Sequence, residues 1–281
     1  MPDSFALRFE RMANEHSGFC FGVDPSPQVL KDWSLPVSLK GLAEFVSIAL
    51  EAAESSVGII KPQIAFYEAF ASAGLVELER LIQGAKDRKL MVIADAKRGD
   101  IGNSVSAYAR AWLGHEGFDV DAVTVNAYLG FGTLKPVFEE ARNNGKAAIV
   151  VVRSSNPEGA ALQSADMNGT AVADQMALSI RDENAKLLPD NNVGPIAAVV
   201  GATLGPDARQ TIDTLTNALF LVPGIGAQGA TVEDVKELFR NNARRVIASS
   251  SRAALSAGPD VAALKSRLAQ YVGQSMKLRE P

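Results

Sequence analysis

Leu90-Met91-Val92-Ile93-Ala94-Asp95-Ala96-Lys97-Arg98-Gly99-Asp100 is an apolar run that ends abruptly in charge. Five apolar residues with no polar alternation predict a strand over 90–94 that is buried on both faces. Such strands belong to parallel sheets covered by helices, so this stretch already points to an α/β fold. The charges then emerge together where a core strand stops. Asp95 and Lys97 are two apart and lie on the same side of an extended chain. Asp100 follows where the chain turns toward the next helix. An ammonium group held between two carboxylates stays charged and fixed, which suits a proton donor.

Outward from this stretch the same pattern repeats. Apolar runs predict strands over 19–23, 57–60, 90–94, 122–125, 147–152, 196–200, 219–222 and 246–249. Amphipathic segments between them predict helices, among them 39–54, 75–89, 104–113 and 170–187. Eight βα units in succession predict a single-domain (β/α)8 TIM barrel over 1–281, with an open doubly wound sheet as the alternative. Residues 1–17 precede the first strand and predict a helical extension covering the barrel bottom. Residues 154–168 form a long polar segment rich in Ser, Asn, Gly and Pro, the expected place for a lid.

Composition narrows the chemistry. Of 281 residues, 47% are hydrophobic and 21% charged, enough for a large core. The formal net charge is −4 and no basic run occurs, so neither nucleic acid nor a membrane surface is an expected partner. No apolar stretch reaches membrane-spanning length and no signal-peptide pattern opens the chain. The single cysteine, Cys20, excludes an internal disulfide and fits a reducing cytoplasm. The two histidines, His16 and His115, are far apart and form no Cys/His cluster, so no metal site is expected. Acid–base work then falls to Lys and Asp.

Barrel enzymes place their chemistry at the C-terminal ends of the strands. Strand one is closed by Asp24, strand two by Lys61, and strand three by Asp95 and Lys97. Adjacent charges of alternating sign can coexist in a half-buried site, where an unpaired one would be costly. Strand seven leads into Pro223-Gly224-Ile225-Gly226-Ala227-Gln228-Gly229, and strand eight into Ser250-Ser251-Arg252. From Gly224 the loop fits the G-x-G-x-x-G dinucleotide fingerprint. That fingerprint belongs to the first unit of a Rossmann half, however, and the acidic residue expected about 20 positions on is absent. A barrel phosphate site built by the loops after strands seven and eight explains the same residues, with Arg252 offering a planar fork to a phosphate dianion.

Asp95-x-Lys97-x-x-Asp100, the lysine closing strand two, the glycine loop and the late Ser-Arg pair together resemble the orotidine 5'-monophosphate decarboxylases, in their second, longer bacterial subgroup. The likeness covers essentially the whole barrel. It departs at Asn126-Ala127-Tyr128, where that subgroup often has proline after the asparagine. The resemblance implies cofactor-independent decarboxylation of orotidine 5'-monophosphate to uridine 5'-monophosphate, with neither metal nor cofactor. It implies that Lys97 protonates C6, that Asp95 faces the substrate carboxylate, and that Lys61 and Asp24 bind ribose hydroxyls. Pro223, Gly226, Gln228, Ser251 and Arg252 would surround the phosphate, and Ser155 would contact the pyrimidine edge. Asp100, with Ile101 and Ser104 beside it, would reach the neighbouring subunit's site in a homodimer with shared active sites.

Overall fold

The structure, a computed structural model, describes residues 2–188 and 193–280. Eight parallel strands close in chain order: β1 (Phe19–Val23), β2 (Ile59–Pro62), β3 (Met91–Arg98), β4 (Ala122–Val125), β5 (Ala147–Arg153), β6 (Ile196–Val200), β7 (Phe220–Pro223) and β8 (Val246–Ser250). β1 pairs with both β2 and β8, which closes the barrel and excludes the open sheet. The strands at 19–23, 122–125 and 196–200 begin and end as expected. β2 and β3 run further toward their C-termini than the apolar runs predict, because strand pairing continues past the last apolar residue through Lys61 and Asp95. Of these residues, Lys61 and Asp95 point inward and build the mouth.

Alternation along each strand divides the core in two. Inward residues such as Cys20, Ile59, Met91, Ile93, Ala122, Ile149, Leu221 and Ile247 pack one cluster inside the barrel. Outward residues such as Phe21, Ile60, Val92 and Val150 pack a second cluster under the helices. In the helix Leu39–Ala53, Leu42, Phe45, Val46 and Ala49 repeat at helical spacing and are all buried. Each large apolar side chain so buried contributes about 2 kcal/mol.

The barrel bottom is covered by the helix Phe5–His16, whose first turn is capped by Ser4 accepting from the Leu7 N–H at 3.2 Å. Phe5, Phe9 and Ala13, four apart, form one face and join the interior cluster. Arg8 fastens the helix by donating to Asp121, just before β4, and to the Gly145 carbonyl.

Residues 154–168 differ from expectation. Instead of an irregular loop they contain the helix Pro157–Gln163, with Pro at its first turn, followed by an Asp166–Ala171 bridge. That helix buries no residue, so no apolar periodicity announced it.

Candidate active site at the strand C-termini

One inward step above the apolar interior, the barrel lining turns polar. Lys61 stands above Ile59, Asp95 above Ile93 and Thr124 above Ala122, and all three are buried. Lys61 Nζ donates to Asp95 Oδ2 at 2.9 Å, and Lys97 Nζ donates to Asp95 Oδ1 at 2.5 Å. The Thr124 hydroxyl donates to Asp95 Oδ1 at 2.9 Å. One carboxylate thus accepts from two ammonium groups and a hydroxyl.

Burial by itself would raise the Asp95 pKa. Lys61 and then Lys97 outweigh it and hold the carboxyl well below the usual carboxylate range. Burial would likewise lower Lys61, but the charges of Asp95 and Asp24 prevail and raise it above the ordinary lysine value. Beneath them, burial pushes the Cys20 thiol up to about 12, so it stays protonated and inert.

Lys97 does not continue regular strand backbone. Its φ is +46°, in the left-handed region. Between the pairs Ala94↔Val123 and Arg98↔Val125, four steps along β3 span two along β4. This bulge leaves the Lys97 side chain 46% exposed at the mouth, above a buried carboxylate.

Asp24, at the end of β1, accepts from the Gln63 N–H at 3.0 Å. It lines a cavity of about 200 Å³ together with Lys61, Asp95, Pro223, Gln228, Ser251 and Arg252. Gly226 stands behind the cavity wall. Its φ is +80°, and a Cβ there would lie 2.6 Å from the Tyr271 hydroxyl, so only glycine lets the loop pack so closely. The Ser251 hydroxyl is buried with no hydrogen-bond partner among the described residues. An orphaned donor beside Arg252 fits a ligand that brings acceptor oxygens.

Ser155, after β5, donates its hydroxyl to Gln228 Oε1 at 2.9 Å and so ties the expected lid to the glycine loop. Beside it, a cavity of about 460 Å³ is lined by Asn126, Tyr128, Phe131, Leu162 and Met176, among others.

Of the expected site residues, Lys97, Asp100, Ile101, Ser104 and Ser155 do not line the 200 Å³ cavity. Asp100 Oδ1 accepts from the Ile101 N–H at 2.8 Å, and Ile101 is 59% exposed. Three site residues escaped the sequence reading: Thr124, Gln63 and Ser249. Thr124 had a signal, as the one hydroxyl within an otherwise apolar strand. Among the described residues, no group of three or more His, Cys, Asp or Glu side chains is arranged to hold a metal.

A match to the model of the Orotidine 5'-phosphate decarboxylase / HUMPS family spans residues 17–266. The orotidine 5'-phosphate decarboxylase of Myxococcus xanthus is 43% identical over 281 residues, covering 99% of this chain and 97% of that protein. The enzyme of the same name from Corynebacterium glutamicum is 40% identical over 269 residues, covering 95% and 96%. A Streptomyces avermitilis crystal structure, of a protein assigned the same activity, matches with a TM-score of 0.92 at 37% identity, over 98% of this chain and 96% of that one. Fold, site and likeness together define a (β/α)8-barrel carboxy-lyase. The chain belongs to the Orotidine 5'-phosphate decarboxylase / HUMPS family.

Proposed function

We propose that this chain decarboxylates orotidine 5'-monophosphate to uridine 5'-monophosphate in pyrimidine biosynthesis, without metal or cofactor, and that Lys97 supplies the proton. The observation that carries this reading is the Lys61–Asp95–Lys97 chain at the barrel mouth: Lys61 and Asp95 line the cavity, and the half-exposed Lys97 ammonium stands 2.5 Å from Asp95. Breaking the bond from C6 to the carboxyl group leaves its electron pair on C6 and releases carbon dioxide. The pair then takes a proton from Lys97 Nζ, and the half-exposed amine regains one from water.

The carbanion at C6 is poorly delocalised, so a cation aimed at that carbon is the main electrostatic requirement. Asp95 faces the substrate carboxylate. At about 4 Å and an effective dielectric near 20, two such charges repel by about 4 kcal/mol. If relieved in the transition state, that is roughly three decades of rate, less than such a reaction demands. The larger share is assigned to Lys97 and to phosphate binding that draws the lid closed.

Asp24 and Lys61 take the ribose hydroxyls, and Ser155 meets the pyrimidine edge. Gln228, Arg252 and Ser251, with the Pro223 and Gly226 backbone, take the phosphate. Asp100, Ile101 and Ser104 serve the partner's site in a homodimer. Residues 1–281 act as one barrel domain, with 154–168 as lid. No helix among the described residues is long and apolar enough to cross a membrane. A cytoplasmic setting belongs to the same proposal, supported by a chain with a single cysteine and so without an internal disulfide.

The test is loss of orotidine 5'-monophosphate absorbance, followed with and without strong chelator. Equal turnover in both is expected. Turnover abolished by chelator would instead favour a metal-dependent lyase of the same barrel superfamily, and no turnover in either would reject the activity.

A further inference from the structure

Thr124 is wholly buried, one step below the mouth on β4. A lone buried threonine usually only satisfies its own hydroxyl. Here the hydroxyl is spent twice, and both partners belong to the reacting constellation. Its oxygen accepts from the Lys97 N–H at 2.9 Å, and its proton goes to Asp95 Oδ1 at 2.9 Å. A hydroxyl has one proton, so the order of donation is fixed: Lys97 N–H to Thr124, and Thr124 O–H to Asp95.

The bulge explains why this matters. Asp95, Ala96 and Lys97 all fall between the paired Ala94↔Val123 and Arg98↔Val125, opposite Thr124 alone. In a regular ladder the Lys97 N–H would meet a backbone carbonyl. In this bulge it meets a side chain, while φ at Lys97 is held at +46°, a conformation unfavourable for a long side chain. Lys97 is also tied to the same carboxylate oxygen through Nζ, at 2.5 Å. Backbone and ammonium of one residue are therefore anchored to one atom, the backbone through Thr124. This closed ring fixes where a flexible, half-exposed side chain can place its proton.

We infer that Thr124 is a positioning residue: it holds the Lys97 backbone in its left-handed bulge and orients Asp95, and so aims the Lys97 ammonium at the reacting atom. The inference rests on the proposed role of Lys97 as proton donor. It assigns Thr124 no contact with substrate.

Thr124→Val keeps shape and removes the hydroxyl, whereas Thr124→Ser keeps the hydroxyl and removes a methyl. Misplacing a reacting group by about 1 Å costs on the order of a hundredfold in rate. Thr124→Val should accordingly lower kcat by about 10- to 100-fold while KM for orotidine 5'-monophosphate stays within about threefold, and Thr124→Ser should restore most of the turnover. A merely structural threonine would instead lower the amount of folded enzyme, leaving kcat per active site and KM unchanged in Thr124→Val. A second measurement needs no activity. Exchange of the Lys97 amide hydrogen, followed by NMR, should be at least about tenfold faster in Thr124→Val than in wild type or Thr124→Ser. Unchanged kcat per active site with unchanged exchange would overturn the inference, as would equal losses in Val and Ser variants. If the wild type itself does not turn over orotidine 5'-monophosphate, the functional reading fails. Amide exchange alone then decides whether Thr124 holds Lys97: faster exchange in Thr124→Val supports the hold, and unchanged exchange refutes it.

Discussion

Asp95 is the residue on which the site balances, because two ammonium groups and a hydroxyl converge on its two oxygens. Its depressed pKa means that it stabilises the fold above its unfolded value and loses that contribution only in strong acid. Lys61, raised, stabilises below its unfolded value and loses that contribution only in strong alkali. Between about pH 5 and 9 both are charged in either state, so the pair contributes no slope. Asp95→Asn should change this. The buried Lys61 ammonium loses its nearest partner at a cost of about 3 kcal/mol. Burial then depresses its folded pKa, so the folded state binds fewer protons and stability rises with pH. Urea unfolding at pH 5, 7 and 9 should show the stability of Asp95→Asn, taken relative to wild type so that other titrating groups cancel, rising steadily toward pH 9. A flat profile for the variant would mean that Asp24 alone sustains the Lys61 charge.

At the scale of elements, β3 and the loops after β7 and β8 decide what the barrel can hold. The apolar part of each strand was legible as a continuous run, and the charges closing β1, β2 and β3 were legible as a set. The left-handed turn of Lys97 was not, because spacing gives the side of a regular strand and a bulge alters that count. Thr124 went unread for a related reason. Its two bonds run to residues on β3 more than twenty positions away. The helix Pro157–Gln163 left no trace either, since a helix that buries nothing needs no apolar stripe. Lys61 and Arg252 come together in one cavity although almost two hundred positions separate them. The phosphate reading makes a prediction at this scale. Arg252→Ala removes charge-assisted hydrogen bonds worth about 2 kcal/mol, or some thirtyfold in affinity. Uridine 5'-monophosphate binding, measured by calorimetry, should weaken by about that factor while uridine binding hardly changes. Equal weakening of both would move the phosphate elsewhere.

The whole molecule presents a net charge of −4 to an anionic substrate, so attraction has to come from local cations such as Lys61, Lys97 and Arg252. Asp100 lies three residues beyond Lys97, where β3 gives way to the next helix, and the proposal gives it to the partner's site in a homodimer. Mixing Lys97→Ala with Asp100→Asn subunits should recover part of the activity, because one site of a mixed dimer then keeps both wild-type residues. No recovery, with subunit exchange verified, would remove the cross-subunit role. The claim beneath all of this is that Lys97 delivers the proton. Turnover of orotidine 5'-monophosphate by Lys97→Ala, with uridine 5'-monophosphate binding measured on the same sample, tests it most directly. Turnover below detection with binding still measurable is the predicted result; near-normal turnover would contradict it.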